Sequence, residues 1–228
     1  MYKHLFFDLD HTLWDFAVNE KITLNQLFEK HNLKKYFSSF DDFLSVYTPI
    51  NEGLWLNYRN GNIPKEVVKI NRFLDTFRSV GFDDVTMAEM TANEFVALSP
   101  LQTQLIPYTI EILDYLLPKY EMHIITNGFV EVQYIKLERS GLRPYFTGIF
   151  ISEEIGYQKP DSNFFEYAVT NSNACKSECL VIGDNLEVDI LGAKNFGLDH
   201  VYFNPEQTPH EEVVFKEITS LAELKDFL

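Results

Sequence analysis

The chain is 228 residues long, 46% hydrophobic and 23% charged, with 19 Lys and Arg against 34 Asp and Glu for a net charge of −15. That is the composition of an ordered globular protein, and it argues against a disordered chain. The net charge also argues against a binder of nucleic-acid polymers, whose phosphate backbone would be repelled at long range. The stretch Met1 to Asp8 has too short an apolar run for a signal peptide. No later run approaches the roughly 20 residues of a membrane span, so the expectation is a cytoplasmic protein with no membrane partner. Cys175 and Cys179, spaced as neighbours on one helical face, have no further Cys or His close in sequence and read as incidental thiols rather than a zinc site.

In chain order, the apolar run His4–Leu9 predicts a first buried strand. From about Ala17 to Leu98 the signals are helical only: Glu20–His31, a stretch around Phe43–Arg59, a helix starting at Pro64, and Thr86–Leu98, where Thr86 and Glu89 have capping-box spacing. After Ser99-Pro100 the pattern alternates. Strands are expected at Met122–Thr126, Ile149–Ser152, Leu180–Gly183 and Val201–Phe203. Helices are expected at Tyr108–Leu117, Val130–Ser140, Asn163–Thr170 and Glu187–Phe196, the last closed by Gly197. The alternation predicts an α/β fold, a doubly wound, Rossmann-like parallel sheet built from residues 1–15 and 100–228, with an all-helical domain inserted at 16–99.

Ligands of open α/β sheets bind beyond the carboxyl ends of the strands, so the residues that follow each apolar run carry the chemistry. They are Asp8-Leu9-Asp10-His11-Thr12, Thr126-Asn127-Gly128, Lys159-Pro160, and Gly183-Asp184 with Asp189 beyond. Hydrolysis of a phosphomonoester needs a nucleophile, a cation against charge repulsion, donors for the phosphoryl oxygens and an acid for the leaving oxygen. Asp8 is the candidate nucleophile and Asp10 the candidate acid and base, brought round by a turn after Leu9. Thr126, Asn127 and Lys159 are candidate phosphate donors, and Asp189 would orient the ligands or Lys159. Asp8 and Asp184 would hold a hard, oxygen-seeking cation, Mg2+ above others. The expected partner is a small phosphorylated metabolite, and the expected assembly a monomer or weak homodimer.

Asp8-Leu9-Asp10-His11-Thr12-Leu13, Ile125-Thr126-Asn127-Gly128, Lys159-Pro160 and Gly183-Asp184 through Asp189 resemble the four motifs of the haloacid dehalogenase (HAD) superfamily. The resemblance covers essentially the whole chain. It implies Asp8 as nucleophile, Asp10 as acid and base, Thr126 and Lys159 as phosphate ligands, and Mg2+ held by Asp8, Asp184 and the main-chain carbonyl of Asp10. It also implies that the helical insert is a cap over the site. Members that cleave carbon–halogen bonds lack the acid that Asp10 supplies, so the resemblance is to the phosphatases.

Asn51-Glu52-Gly53-Leu54-Trp55-Leu56-Asn57-Tyr58-Arg59-Asn60-Gly61, and the run from Ile124 to Glu154, are similar to bacterial pyrimidine 5′-nucleotidases. By that resemblance Trp55 and Tyr58 stack on a base, with Asn51 or Arg59 nearby. Phe43, Val46, Ile50, Leu54, Trp55 and Tyr58 also recur at helical spacing and suit a buried stripe equally. The motifs are shared with sugar-phosphate phosphatases, N-acylneuraminate-9-phosphatase and phosphomutases. Outside enzymes, a phosphoacceptor switch or a binding module uses similar parts, although the inserted helices and the position of Asp8 after the first strand argue against the switch.

Overall fold

The computed structural model describes all residues, 1–228, and divides into two compact units, Met1–Ala17 with Thr103–Leu228, and Val18–Gln102. The first unit is built on a six-stranded sheet in the order β3-β2-β1-β4-β5-β6. Its strands are β1 (His4–Phe7), β2 (Glu121–Thr126), β3 (Gly148–Ile151), β4 (Cys179–Gly183), β5 (Asp199–Phe203) and β6 (Lys216–Ile218). Every neighbouring pair is parallel, with His4 in register with both Glu121 and Cys179. The short apolar runs fit strands buried on both faces.

Side chains alternate across the sheet. Leu5, Phe7, Met122, Ile124, Leu180 and Ile182 pack on one face with Ile112, Leu113 and Leu116 of α5 (Thr109–Leu116) and Leu137 of α6 (Val130–Arg139). Phe6, Ile125 and Val181 pack on the other with Phe164, Phe165 and Ala168 of α8 (Ser162–Asn171) and Ala193 of α9 (Gly192–Phe196). Both faces are therefore covered, as a doubly wound sheet requires. A short helix α7 (Ser152–Ile155) follows β3 directly.

Several local expectations change. The first strand ends at Phe7, so Asp8 and Leu9 belong to the loop that follows it. The helix expected at Glu187–Phe196 opens as a π-helical turn, Leu186–Leu191, before α9. β6 and a 3-10 segment, Leu221–Asp226, were not foreseen; the latter is capped by Ser220 and Glu223 in a capping box. Cys175 and Cys179 do not share a helical face, because Cys179 opens β4; burial pushes its thiol up to about 12, and the thiol donates to the carbonyl of Cys175 at 3.1 Å.

The helical unit contains most of α1 (Phe16–Lys30) together with α2 (Phe40–Arg59), α3 (Lys65–Ser79) and α4 (Val85–Leu98). Its own core is rich in aromatic rings: Phe28, Phe37, Phe43, Tyr47, Phe73, Phe77 and Phe95 are buried together. Ser39 caps α2 by accepting from the Asp42 amide, and Asp84 caps α4 by accepting from the Met87 amide. The Thr86–Glu89 capping box is thus corrected, since Thr86 already lies inside α4. No helix is long and apolar enough to cross a membrane.

At the amino-terminal edge of the sheet, His4 Nδ1 and His123 Nε2 lie 3.2 Å apart with their ring centroids 5.5 Å apart, so the nitrogens point at one another in a hydrogen bond. Glu121 completes a His-His-Glu group there, but ring nitrogens aimed at each other leave no shared point for an ion. Burial, helped by His4, lowers the pKa of His123 to about 4. A histidine kept neutral in the fold contributes stability that is complete above its unfolded pKa and is lost as pH falls towards the folded one. The fold should therefore lose about 2 kcal/mol between pH 7 and pH 5, measured by urea denaturation, and His123→Leu should flatten that dependence. An equal slope in the variant would show that other groups cause it.

Candidate active site

The site is assembled where the sheet order reverses, at the carboxyl ends of β1 and β4. The amide of Asp8 still donates to Ile182 of β4 at 2.9 Å, so the first acid is fixed as if the strand continued. The chain then folds back tightly. The amides of Leu13 and Trp14 donate to Leu9 at 3.0 and 2.9 Å, and that of His11 to Trp14 at 2.9 Å, with His11 in the left-handed region at φ 67°. The turn expected after Leu9 is present, and it carries Asp10 and Thr12.

Lys159 sits at the centre with 1% of its surface exposed. Its ammonium donates to Asp8 Oδ1 at 2.7 Å, Asp189 Oδ1 at 2.6 Å and the carbonyl of Ile125 at 2.9 Å, which uses all its hydrogens. Burial alone would push this ammonium towards neutrality, but Asp189 and Asp8 outweigh it and hold the pKa above the usual lysine value. Asp189 is further tied by the amide of Asn185 at 3.1 Å. It reaches this place only because residue 183 is glycine, where a Cβ would stand 2.6 Å from Asp189.

Asn127 braces the lysine from behind. Its side chain donates to the carbonyl of Lys159 at 2.8 Å and accepts from its amide at 2.9 Å, so it grips the main chain in both directions. Thr126 is buried, and its hydroxyl accepts from Gly128 N–H at 3.0 Å and from Gln133 Nε2 at 2.6 Å. Gln133 also donates to Asp10 Oδ2 at 2.9 Å, and Lys136 donates to Asp10 Oδ1 at 2.6 Å. The structure thus brings Asp8, Lys159, Asp184 and Asp189 into one cluster, and joins Thr126 to Asp10 through Gln133.

Gln133 and Lys136 were not singled out in the sequence, and Thr12 was quoted there only within its motif, without a role of its own. Thr12 is fully buried and donates towards Asp8 Oδ2 at 3.3 Å and Asp184 Oδ1 at 2.9 Å. One hydroxyl proton is thereby shared between two carboxylates. Burial, with Asp189 and Asp184 as like charges, holds Asp8 well above the usual carboxylate range even against Lys159, and burial with Asp189 pushes Asp184 up to about 7.

These are the conditions a cation relieves. Carboxylate oxygens of Asp8, Asp184 and Asp189 lie within 4.8 Å of one another, but those of Asp189 are already engaged by Lys159 and Asn185. Asp8 and Asp184 are left as the carboxylates that could hold an ion, an all-oxygen pair suited to a hard cation such as Mg2+.

Of the other sequence candidates, Asn51, Trp55, Tyr58 and Arg59 lie on α2 in the helical unit. The buried stripe of α2 runs Phe43–Tyr47–Asn51, and Trp55 and Tyr58 extend it half-buried, edge to face with centroids 5.7 Å apart. Asn51 donates to Glu20 Oε1 at 3.3 Å, beside Tyr47 OH at 3.1 Å, and its own Oδ1 is buried without a partner.

Removing one partner of a buried charge cluster strands the others. Lys159→Met should lower the unfolding free energy by about 3 kcal/mol in denaturant titration, whereas a loss below about 1 kcal/mol, the scale of a surface ion pair, would mean that the cluster does not depend on the lysine.

The chain is similar to known proteins over most of its length. HAD-hydrolase YfnB of Bacillus subtilis, in a crystal structure bound to magnesium, superposes with a TM-score of 0.89 at 32% identity, covering 99% of this chain and 97% of that one. Pyrimidine 5′-nucleotidase PynA of Streptococcus pneumoniae is 34% identical over 90% of this chain and 84% of its own. Pyrimidine 5′-nucleotidase YjjG of Escherichia coli is 32% identical over 98% of this chain and 96% of its own. Residues 2–197 match the haloacid dehalogenase-like hydrolase family. With that match, and a site of aspartates and a buried lysine at the ends of a parallel sheet, the chain belongs to the haloacid dehalogenase-like hydrolases and is a phosphatase of that family.

Proposed function

We propose that this phosphatase hydrolyses nucleoside 5′-monophosphates, pyrimidine nucleotides above others, through a phosphoaspartate on Asp8 and with Mg2+. The observation that carries the chemistry is the state of Asp8: one oxygen is held by Lys159, while the other meets only the hydroxyl that it shares with Asp184. The nucleophile is thus fixed in direction and has one oxygen left for phosphorus. The nucleotide preference rests on the nucleotidases PynA and YjjG, each matched over most of the chain.

Asp8 attacks phosphorus, the ester P–O bond breaks, and the leaving oxygen takes a proton from Asp10. Asp10 then accepts a proton from water as that water attacks the phosphoaspartate, which releases inorganic phosphate and restores Asp8. Lys159 and the hydroxyl of Thr126 face the phosphoryl oxygens in this reading, and Asn127 acts by fixing Lys159. Mg2+ held by Asp8, Asp184 and the main-chain carbonyl of Asp10 would neutralise the repulsion between the nucleophile and a phosphate dianion. Asn51, Trp55, Tyr58 and Arg59 are the candidates for recognising the nucleoside.

Binding to the folded state alone raises stability, by about 2.7 kcal/mol at a hundredfold excess over Kd. Millimolar Mg2+ should therefore raise the melting temperature of the wild type and leave that of Asp184→Asn unmoved; equal shifts in both would place the ion elsewhere.

Activity is tested by phosphate release from nucleoside monophosphates and sugar phosphates, with Mg2+ or with EDTA, and with Asp8→Asn as control. The expected result is Mg2+-dependent release, fastest from pyrimidine nucleotides and lost in Asp8→Asn. Release confined to sugar phosphates would remove the nucleotide assignment, and equal release in EDTA would remove the role of the metal.

A further inference from the structure

We propose that Gln133 and Lys136 of α6 are positioning residues that fix Asp10 as the acid and base of the reaction and tie it to the phosphoryl-binding hydroxyl of Thr126. The proposal rests on the roles read for Asp10 and Thr126 above. Residues three apart on a helix share a face, and here both members are buried, Gln133 at 0% and Lys136 at 4% exposure.

Between them they occupy both oxygens of one carboxylate. Lys136 Nζ is 2.6 Å from Asp10 Oδ1 and Gln133 Nε2 is 2.9 Å from Asp10 Oδ2. The ammonium also lies over the ring of Trp14, 4.4 Å from its centroid, and 5.3 Å from that of Phe16. Trp14 belongs to the same turn as Asp10 and forms an isolated bridge with it. The loop that carries the acid therefore supplies the aromatic floor for the cation that holds it. A lysine is a costly choice for packing, since an apolar side chain would fill the space without desolvating a charge. Its place is explained by the carboxylate in front of it.

Gln133 makes the stronger case. Both hydrogens of Nε2 are spent, on Asp10 and on Thr126 Oγ1 at 2.6 Å, while its Oε1 is buried without a partner. Leaving a buried acceptor unmade is costly, and turning the amide over would set Oε1 against the carboxylate. The orientation is also built into the main chain. A Cβ at Gly128 would lie 2.2 Å from Gln133 Nε2, so the side chain occupies space that only glycine leaves open. One amide thus couples the acid to the hydroxyl beneath the phosphoryl group.

The chemical consequence follows from where the charge goes. When the ester bond breaks, the proton leaves Asp10 for the departing oxygen and a carboxylate develops between two fixed donors. Donors already aimed at developing charge lower the barrier, because nothing has to reorient during the step. An alkoxide leaving group needs that proton. A nitrophenolate does not.

The experiment compares single-turnover phosphorylation of the Mg2+-loaded enzyme by a nucleoside 5′-monophosphate and by p-nitrophenyl phosphate, for wild type, Lys136→Met, Lys136→Arg and Gln133→Leu, with Asp10→Asn as reference. We expect Lys136→Met and Gln133→Leu to slow phosphorylation by the nucleotide tenfold or more with KM changed less than about threefold. With Lys136→Met the aryl ester should stay within about threefold of wild type and Lys136→Arg should recover most of the loss, whereas Gln133→Leu, which also frees Thr126, should slow the aryl ester too but clearly less than the nucleotide. A merely structural role would slow both substrates alike, and that result, or a loss confined to KM, or no loss, would overturn the proposal. If Lys136→Met or Gln133→Leu has no cooperative melt, Gly128→Ala takes its place, displacing the Gln133 amide with the same discrimination expected. Failure of Asp10→Asn itself to discriminate the two esters would instead remove the acid role of Asp10.

Discussion

The structure of the catalytic unit depends on one buried ammonium. Asp8 and Asp189 are both almost fully buried, and two carboxylates cannot be taken out of water side by side unless a cation lies between them. Lys159 does this with all three hydrogens committed, one of them to the carbonyl of Ile125 at the end of β2. Its main chain is fixed in turn by Asn127, and the approach of Asp189 is opened by Gly183. The strand order makes this possible, because β1 lies between β2 and β4 and a side chain arriving after β3 can bridge the ends of all three.

That arrangement leaves an electrostatic debt on the side away from the lysine. Asp8 Oδ2 and Asp184 meet across a single hydroxyl, in a site where burial raises the pKa of both acids. A phosphate dianion brought to this edge would add further negative charge, in a chain whose net charge is already −15. A divalent cation between Asp8 and Asp184, as proposed, would answer both problems, and the oxygen-only character of the site then matters more than the number of acids near it. Asp189 shows the distinction: it is close enough to be a ligand, yet Lys159 and Asn185 have already taken its oxygens.

Much of this was legible in the sequence, for a physical reason. Strands buried on both faces need continuous apolar runs, so His4–Phe7, Met122–Thr126 and Leu180–Gly183 stand out, and the polar residues that end them fall at the sheet edge where ligands bind. The helical unit was legible in the same way, although the cap of α4 is Asp84, because the helix already begins at Val85 and the Asp84 carboxylate reaches the Met87 amide three residues on. What stayed hidden are side chains whose roles are tertiary. Lys136 sits in a helix among Glu131, Glu138 and Arg139 and reads as part of a solvated face; only the fold reveals that it turns inward over Trp14. Gln133 carries no charge to mark it, and β6 is too short to give a pattern. Asn127 was read as a phosphate donor, but its carboxamide is turned to the main chain of Lys159, since a carbonyl and an amide at the right separation match both ends of a carboxamide.

Two lysines therefore hold two aspartates that stand two residues apart, and the difference between the pairs suits the separate tasks proposed for them. Lys159 is divided between Asp8, Asp189 and a carbonyl, so it fixes Asp8 without claiming both of its oxygens. Lys136 is directed at Asp10 among aromatic rings, and with Gln133 it closes on both oxygens of that one carboxylate. A nucleophile needs an oxygen kept available, whereas an acid that cycles between two protonation states needs its orientation kept constant. Displacement of a halide requires the first condition alone, because a halide departs without a proton. Cleavage of a phosphomonoester through Asp8, as proposed, requires both, and the second is what the pairing of Asp10 with Lys136 and Gln133 would supply.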